Sequence, residues 1–385
     1  MSKVNYVDRR GTNCNKWDGQ TQMFGEEGLH AMWVADMDFQ TPSCVTEALE
    51  KYVQQGVFGY YRIPDSYYDS FINWEKTYHN YEVKRDWIRF SPGVVSALNW
   101  ILKFMTNPQD AAIVLTPVYY PFLNAIKDNG RRLIESDLVN ENGVYHIDFE
   151  DFEQKIIENK VKLFILSSPH NPVGRVWTKD ELSKIIEICR RHNVFIISDE
   201  IHHDLTFADH THIPLATIGD NDDMIITLTA PSKTFNLAAC QNSIIIIPDA
   251  SLRATWDQFA HGIRLENGNA FGYIAAEAAY TNGRPWLIEV KELIYSNFLY
   301  MKETLESARP ELRISPLEGT YLAWIDLGAY VKPSELRDFM QKKCRLALDY
   351  GDWFGGERFG TFVRMNLATS RESVEYAVNA LISQL

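Results

Sequence analysis

The amino-acid sequence predicts an α/β fold in which a large domain is built on a mainly parallel sheet covered by helices. Through the middle of the chain, short apolar runs rich in β-branched residues alternate with amphipathic helical segments. This alternation is typical of a parallel sheet with helices on both faces. After about residue 275 longer helical patterns replace it, which predicts a smaller α+β domain.

Composition and charge exclude several classes of protein. Of the 385 residues, 45% are hydrophobic and 23% are charged, which is ordinary for a folded globular chain and argues against disorder. Lys and Arg number 38 against 51 Asp and Glu, so the formal net charge is −13. Because no basic tract stands out, we predict no nucleic-acid partner.

The cysteines and the apolar runs indicate a cytoplasmic protein. The five cysteines are scattered without a C-x-x-C pair, which is the pattern of reduced thiols. The N-terminus has no apolar signal region. No apolar run approaches the length of a membrane span, and the run 244–247 is closed by Pro248, so we predict no membrane association.

The N-terminal part is predicted to begin with a loop and to continue with two helices. The first forty-odd residues are rich in Gly, Asn and Asp and include the aromatic-acidic stretch 33–39. A helix is expected over 42–55, with Thr41 and Ser43 as alternative N-caps. A second helix, dense in aromatic residues, is expected over 64–79, and a glycine-punctuated turn with two tyrosines connects the two helices.

Buried strands are predicted where a short apolar run ends in a polar turn. Such runs cover 111–115, 161–166, 194–198 and 224–229. A capping box at 178–181 opens a helix with apolar residues on one face. Since open α/β sheets hold ligands at the carboxyl ends of their strands, the turns after these strands are expected to carry the functional residues.

The smaller domain is predicted from the C-terminal pattern. Helices are expected over 276–308, 332–343 and 371–385, and strands over 320–327 and 362–366. Because no low-complexity linker separates this part from the rest, the two domains are expected to pack tightly together.

Lys233 stands just after the run 224–229, where β-branched residues give way to Ala-Pro-Ser-Lys. A lysine in such a turn can form a Schiff base with an aldehyde cofactor, and the neighbouring Ser232 can donate to a phosphate. Taken alone, this turn is equally consistent with an ordinary surface lysine in a loop, because most lysines are exposed. The other strand-end turns favour the cofactor.

These turns offer what a pyridine aldehyde requires. Asp199 follows a buried strand and can keep the ring nitrogen protonated, although alone it is an ordinary strand-end acid. Asn171 and Tyr119 offer a donor to the ring oxygen and an aromatic face for stacking. The glycine turn 93–95 opens a helix whose backbone N–H groups favour an anion, although a plain strand–helix connection is the alternative.

Taken together and in this order, these residues resemble the fold-type I pyridoxal-phosphate enzymes of the aspartate aminotransferase superfamily. Within it, the chain resembles the MalY/PatB group of carbon–sulfur lyases, also described as cystathionine β-lyases. The resemblance extends from Trp33 to Asn366. It rests on six stretches in register, which are 33–39, 59–62, 169–177, 199–204, 232–237 and 319–324.

The resemblance implies a seven-stranded, mainly parallel sheet in the large domain and pyridoxal 5'-phosphate as the cofactor. It also implies a homodimer that acts on a small amino-acid substrate. On this basis we expect a large, cofactor-binding domain over 46–275. The small domain is expected to combine 1–45 with 276–385.

The resemblance further implies roles around the cofactor ring. Lys233 matches the Schiff-base lysine, which also moves the Cα proton of the substrate. Asp199 matches the partner of the pyridine nitrogen, Asn171 a donor to the ring oxygen, and Tyr119 the stacking aromatic residue. His202 stands three residues after the aspartate, where aminotransferases commonly place a tyrosine for the task of Asn171.

The phosphate of the cofactor is expected at the start of a helix. The resemblance assigns it to Gly93, to the backbone N–H groups of Val94 and Val95, and to Ser232. One position departs from the pattern, because many aminotransferases have an arginine eight residues after the lysine and this chain has Gln241. The phosphate must then rely more on the helix start and on a neighbouring tyrosine.

Substrate binding and the second subunit are also implied by the resemblance. Arg364 matches the arginine that forks onto the substrate α-carboxylate, and Ala35, Asn171 and Tyr119 are expected beside the substrate. Tyr60 matches a tyrosine that reaches across the dimer interface to the cofactor of the neighbouring subunit, where it is expected to take part in catalysis.

Two questions about aromatic residues stay open. Tyr61 rivals Tyr60 for the place across the dimer interface, although the family pattern puts the tyrosine directly after glycine. Trp33 and Phe58 either line the substrate pocket or pack in the core.

The histidines predict no metal site. His203, His210 and His212 follow His202 with a spacing that fits no familiar zinc pattern, and no thiolates accompany them. We therefore expect these three to be structural or surface residues.

The predicted function is that of a pyridoxal-phosphate-dependent carbon–sulfur β-lyase. It would cleave cystathionine or cysteine-S-conjugates to a thiol, pyruvate and ammonia by α,β-elimination. An aminotransferase is the alternative, since both reactions begin with loss of the substrate Cα proton. A regulatory protein on the same fold is a third possibility, disfavoured by the intact set of Lys233, Asp199 and Arg364.

Overall fold

The computed structural model describes residues 4–265 and 267–385. Its strands are β1 (His30–Ala31), β2 (Ile88–Ser91), β3 (Ala111–Thr116), β4 (Arg132–Asp137), β5 (Val139–Glu141), β6 (Val144–His146), β7 (Val161–Ser167), β8 (Phe195–Asp199), β9 (Ile225–Thr229), β10 (Ser243–Ile246), β11 (Arg313–Ile314), β12 (Leu322–Asp326), β13 (Leu346–Ala347), β14 (Asp349–Tyr350) and β15 (Phe362–Asn366).

The helices alternate with these strands in the middle of the chain. They are α1 (Asn15–Asp18), α2 (Gln20–Phe24), α3 (Ser43–Val53), α4 (Asp65–His79), α5 (Val94–Met105), α6 (Tyr120–Asp128), α7 (Phe149–Asn159), α8 (Lys179–Arg191), α9 (Pro231–Thr234), α10 (Ala250–Gly262), α11 (Ala270–Asn282), α12 (Arg284–Ala308), α13 (Leu336–Asp338) and α14 (Arg371–Gln384).

The large sheet confirms the predicted architecture. Its seven strands lie in the order β2-β10-β9-β8-β7-β3-β4. The strands from β9 to β4 pair in parallel, whereas β10 is antiparallel to both β9 and β2. The predicted runs became β3, β7, β8 and β9, each with bounds shifted by one residue at most.

Alternate residues of the strands face opposite helical layers. Ile113 of β3 packs in one core cluster with residues of α7 and α8. Its neighbours Ala112 and Val114 pack in a second cluster with residues of α5, α6 and α10. Because both faces of the sheet are covered, these strands consist mostly of apolar residues. The polar groups that can reach a ligand therefore lie at the strand ends.

The small sheet has the strand order β11-β12-β15-β14, with antiparallel pairing throughout. Its two longest strands, β12 and β15, were predicted over 320–327 and 362–366. The helix predicted over 371–385 is α14. The division into domains at 46–275 stays a prediction.

Several predictions about individual elements were wrong. The N-terminal part is not only a loop, since it contains α1, α2 and β1. Neither proposed residue caps α3, because Pro42 occupies the N-cap position and Ser43 is the first helical residue. The hydroxyl of Thr41 donates instead to the carbonyl of Phe235 at 2.9 Å.

The helical stretch predicted over 276–308 consists of two helices, α11 and α12. Gly283 separates them, and a Cβ there would lie 2.6 Å from the ring of Phe235, so the chain turns where no side chain fits. Pro285 then sits in the first turn of α12, a place where its missing N–H costs nothing. The segment predicted over 332–343 is also divided, into a 3₁₀ turn, α13 and a π turn at Phe339–Lys343.

Within the described residues, no helix has both the length and the apolar character that crossing a bilayer requires.

Candidate functional site

A cavity of about 200 Å³ opens at the carboxyl ends of the central parallel strands, beside the start of α5. This is the position where open α/β sheets bind their ligands. The structure brings most of the predicted site residues to its wall: Ala35, Gly93, Val94, Val95, Tyr119, Asn171, Asp199, His202, Ser232 and Lys233. Two predicted residues, Tyr60 and Arg364, lie outside this wall.

Lys233 lies on α9, the single turn of helix that follows β9. Its Nζ donates to the carbonyl oxygen of Ala35 at 2.6 Å. Burial lowers the pKa of Lys233 to about 8, although the carboxylate of Asp36 acts in the opposite direction. A neutral amine, which is the form that attacks a carbonyl carbon, is therefore present at a mildly alkaline pH.

Asp199 is the last residue of β8 and has a buried side chain. Its Oδ1 accepts a hydrogen bond from the backbone N–H of Ile201 at 3.1 Å. Burial raises the pKa of Asp199 to about 7. Among the described residues no cationic side chain forms an ion pair with it, so the carboxylate fits a partner that arrives with a positively charged N–H, such as a protonated pyridine.

Asn171 joins the cavity to Arg364. The side-chain Oδ1 of Asn171 accepts from Nη1 of Arg364 at 2.9 Å, and its backbone carbonyl accepts from the N–H of Tyr119 at 3.1 Å. With Oδ1 engaged in this way, the amide NH₂ of Asn171 is the group left to donate to a ligand oxygen.

Arg364, in the middle of β15, is only 2% exposed. Its Nη2 forms an ion pair with Asp349 and donates to the backbone carbonyl of Trp33 at 3.2 Å. Its Nε is buried and has no hydrogen-bond partner in the part of the chain that the structure describes. Burial raises the pKa of Asp349 to about 6 although Arg364 opposes this effect. The unpartnered Nε leaves this arginine one donor with which to bind a carboxylate, and the fork is complete only if an Nη group turns from its present partner.

His202 is buried, and burial lowers its pKa well below the ordinary value, so the imidazole is neutral. The ring packs against Tyr321 at a centroid distance of 5.8 Å. Within residues 4–265 and 267–385, its Nδ1 has no hydrogen-bond partner. This histidine is therefore placed to donate to or accept from a bound group.

The start of α5 forms an anion cradle. Gly93 is the N-cap and supplies no side chain, so the first backbone N–H groups of the helix, from Val94 onward, are free to bind an anion. Ser232 lies on the same cavity wall. Gln241, which stands where the resemblance predicted an arginine, is exposed and does not line the cavity.

Tyr60 is fully exposed, at 112% of its reference area, and contacts nothing in its own cavity. Its rival Tyr61 is partly buried and stacks on Tyr273 at a centroid distance of 6.3 Å. Trp33 is buried and donates its indole N–H to the carbonyl of Lys16 at 2.9 Å. Core packing is therefore the role of Trp33.

Phe58 does not line the cavity either. Its side chain is 58% exposed and packs on Tyr52 and Phe271, with ring centroids 5.7 Å from each. It belongs to an exposed aromatic patch on the same loop as Tyr60.

Three residues around the site were not predicted from the sequence. Asp36 lies close enough to Lys233 to act on its charge, and the hydroxyl of Tyr321 donates to the carbonyl of Ala35 at 2.8 Å. Asp349 pairs with Arg364. The first two lie in stretches that carry the family resemblance, whereas nothing in the sequence around Asp349 indicated its role.

The histidines after Asp199 have different environments. His210 is exposed, whereas His203 and His212 are buried. His212 pairs with Glu200 at 2.9 Å. Burial lowers the pKa of His203, but the carboxylates of Asp204 and Glu75 outweigh this and raise it to about 10.

Comparison with known proteins identifies the family. A family model described as aminotransferase class I and II matches residues 34–381. The chain therefore belongs to the class I and II aminotransferase family.

Individual relatives are similar over their full length. Cystathionine beta-lyase PatB of Bacillus subtilis (strain 168) is 40% identical over 370 residues, which cover 96% of this chain and 95% of that protein. Protein MalY of Escherichia coli (strain K12) is 32% identical over 391 residues, which cover 100% and 98%. The crystal structure of the PLP-bound C–S lyase from Staphylococcus hominis is 33% identical, with a TM-score of 0.93 and coverage of 99% of this chain and 97% of that one.

Proposed function

We propose that this protein is a pyridoxal-phosphate-dependent carbon–sulfur β-lyase. It cleaves cystathionine or cysteine-S-conjugates to a thiol, pyruvate and ammonia by α,β-elimination. The observation that carries the proposal is the single cavity in which Lys233, Asp199, Asn171 and the anion cradle of α5 meet. The named lyase relatives, at 40% and 33% identity, favour elimination over transamination.

The cofactor is pyridoxal phosphate, as the sequence predicted. When bound, it supplies an aldehyde that couples to amines and a ring that accepts electron density from the substrate Cα. The cavity fits this group, because an amine of lowered pKa, an unpaired buried carboxylate and an uncapped helix start lie on its wall. These are the three partners that the aldehyde, the ring nitrogen and the phosphate require.

Each residue then has a distinct task. Arg364 binds the substrate carboxylate and so orients the Cα–H bond. The Nζ of Lys233 takes the proton from Cα and returns it to the leaving thiolate or to solvent. Asp199 keeps the ring nitrogen charged, and Asn171 and His202 donate to the ring oxygen.

The assay that tests the function measures two products. Purified protein loaded with pyridoxal phosphate is mixed with cystathionine or an S-alkyl cysteine, and pyruvate and free thiol are followed together. We expect equal amounts of the two products. A protein that releases no thiol but converts a keto acid into an amino acid would be an aminotransferase.

We further propose a homodimer in which Tyr60 completes the active site of the neighbouring subunit. Tyr60 is fully exposed. Its neighbours Val57 and Phe58 are 72% and 58% exposed, so the three side chains form an apolar surface. A dimer that buries this surface also gives Tyr60 a cavity to enter.

Heterodimers of two inactive variants test the place of Tyr60. Chains carrying Tyr60→Ala and Lys233→Ala are co-expressed with different affinity tags, and the mixed dimer is isolated with both tags. It contains one site with both residues intact, so we expect about half of the wild-type activity per dimer. The conservative variant Tyr61→Phe is the control and stays active. An inactive mixed dimer, with each variant dimer inactive as well, would place Tyr60 in its own subunit's site.

Replacing Arg364 tests the carboxylate clamp. In Arg364→Lys the charge beside Asp349 remains, but the fork of donors is lost, so we expect KM for cystathionine to rise about 100-fold with a smaller change in kcat. Arg358→Lys is the matched control, because Arg358 pairs with Glu135 and Asp137 at the surface, away from the cavity. An unchanged KM in Arg364→Lys would refute the assignment.

A cytoplasmic location belongs to the same proposal. All five cysteines lie within the described residues and carry free thiols. Cys189 and Cys344 are buried, and burial raises the pKa of Cys189. Five cysteines without a disulfide bond are typical of a protein in a reducing compartment.

A further inference from the structure

Three buried side chains and the partly buried His79, from two distant parts of the chain, meet outside the wall of the cofactor cavity. Glu75 and His79 come from the last turns of α4, and His203 and Asp204 follow β8. The Nε2 of His79 lies 2.8 Å from Oδ1 of Asp204. The Nε2 of His203 lies 3.1 Å from Oδ2 of Asp204 and 3.4 Å from Oε1 of Glu75. We refer to these four residues as the α4 cluster.

The spacing of the α4 cluster matches a shell of metal ligands. The ligand atoms of Glu75, His79 and His203 all lie within 4.8 Å of one another. Around a tetrahedral ion with bonds of about 2.0–2.1 Å, neighbouring ligand atoms are about 3.3 Å apart. Two separations in the cluster, 3.1 and 3.4 Å, are close to that value, whereas the 2.8 Å between His79 and Asp204 is the length of the hydrogen bond that joins them.

The orientation of the groups is a second, independent observation. Among the described residues, the Nε2 of His203 and the Oε1 of Glu75 are both buried and form no well-directed hydrogen bond, although Nε2 lies 3.4 Å from Oε1 and 3.1 Å from Oδ2 of Asp204. Polar atoms that lie close together without hydrogen bonding point at a common space instead of at each other. Ligands around an ion have this arrangement.

His203 is oriented to ligate through Nε2. Its Nδ1 lies 2.6 Å from the backbone carbonyl of Glu200, which can only accept, so Nδ1 carries a hydrogen. Without a metal the raised pKa of His203 keeps a hydrogen on Nε2 as well, and binding of the ion displaces that proton. Histidines that bind metals commonly donate their other nitrogen to such a carbonyl. Asp204 is held in the same way, by the indole N–H of Trp74 at 3.0 Å and the hydroxyl of Thr234 at 2.8 Å.

We propose that the α4 cluster binds one divalent transition-metal ion of zinc-like chemistry through Glu75, His79, His203 and Asp204. Two imidazoles and two carboxylates suit such an ion, and its charge of two balances that of the carboxylates in a buried place. This site is separate from the cofactor cavity, which none of the four residues lines.

The position of the cluster gives the ion a structural role. It connects α4, which follows the loop of Tyr60, to the segment after β8. Asp204 in turn holds Thr234, the neighbour of Lys233. The ion would therefore connect the turn that carries Lys233 to α4, the helix that follows the loop of Tyr60. This structural role does not depend on which reaction the protein catalyses.

The test measures metal in the full-length protein loaded with pyridoxal phosphate. Protein dialysed against Zn²⁺ and then against metal-free buffer is assayed for zinc by mass spectrometry. We expect about one zinc per wild-type chain and a loss of at least about 90% in His79→Gln and in His203→Gln. His210→Gln is the matched control, because His210 is exposed on the same segment, and it keeps the wild-type content.

Wild-type protein alone provides a second measurement, which decides the question if a variant does not fold. Loaded with Co²⁺, it should show the intense visible absorption of a tetrahedral cobalt site, and Zn²⁺ should raise its Tm by about 2–4 °C. Wild-type protein that retains no zinc and shows no such spectrum would overturn the proposal. The same holds if folded His79→Gln and His203→Gln retain as much zinc as the wild type; the cluster would then be a metal-free ion pair of a protonated His203 with its carboxylates.

Discussion

Replacing Lys233 by alanine is expected to lower kcat/KM for release of thiol from cystathionine by at least about 10⁴-fold. The variant loses both the amine that couples to the cofactor and the base that moves the Cα proton. Rates of thiol and pyruvate formation, measured together with cofactor content, check this expectation. The visible absorption of the lysine-bound cofactor should disappear as well.

A second buried lysine provides the control for this experiment. Burial lowers the pKa of Lys291 to about 8, the same value as for Lys233, but Lys291 does not line the cavity. Lys291→Met is expected to keep its activity within about threefold, because a lowered pKa without access to the cofactor has no catalytic use. Added methylamine can replace the missing amine and should restore part of the activity of Lys233→Ala. Lys291→Met should be active without methylamine.

Two outcomes would contradict the role of Lys233. One is a Lys233→Ala variant that still forms thiol and pyruvate at a rate within about tenfold of the wild type, since no other amine lines the cavity among the described residues. The other is an equal loss of activity in Lys291→Met with the fold intact, which would indicate damage to the fold shared by both variants.

The sheet could be predicted from the sequence because its strands are buried on both faces. Runs such as Ile225–Thr229 are buried throughout, consist of Ile, Leu and Thr, and end abruptly in turns, so both their type and their ends can be predicted. The edge strand β4, Arg132–Asp137, was missed because its residues are mixed in polarity and only partly buried. Its place depends on pairing with β3, which no local pattern encodes.

Helix ends were predicted less well for a related reason. The capping box of Thr178 and Glu181 is a local device, and it was found as predicted. The break at Gly283 depends on Phe235, which approaches it from a distant part of the chain. The N-cap of α3 was wrong because the hydroxyl of Thr41 has a tertiary partner.

The site was predictable where chemistry coincides with a strand end. Lys233, Asp199 and Asn171 follow strands of one sheet, and parallel strands bring their carboxyl ends to the same edge. Asp349 could not be predicted, because its role is to pair with Arg364 and an aspartate in a two-residue strand gives no local sign of that partner. The α4 cluster could not be predicted because His79 and His203 are far apart in the chain, and no local spacing connects them.

Replacing Asp199 by asparagine is expected to lower kcat/KM by about 10³-fold while the cofactor remains bound. The amide has the size of the carboxylate but no charge. Without that charge, nothing in this buried place keeps the ring nitrogen protonated, and the ring accepts less electron density from Cα. Steady-state rates and the visible spectrum of the bound cofactor measure the two effects separately.

The neighbouring residue Glu200 is the matched control for Asp199. Both carboxylates are buried at the end of β8, but Glu200 faces His212 at 2.9 Å and does not line the cavity. Glu200→Gln should therefore cost stability, seen as a lower Tm, with a small change in kcat/KM. Asp199→Asn should show the reverse, because burial raises the pKa of Asp199 to about 7 and makes its charge unfavourable in the protein without cofactor. A carboxylate that destabilises the fold but is required for the reaction is positioned to bind a ligand. Equal losses of kcat/KM in Asp199→Asn and Glu200→Gln would contradict this role of Asp199.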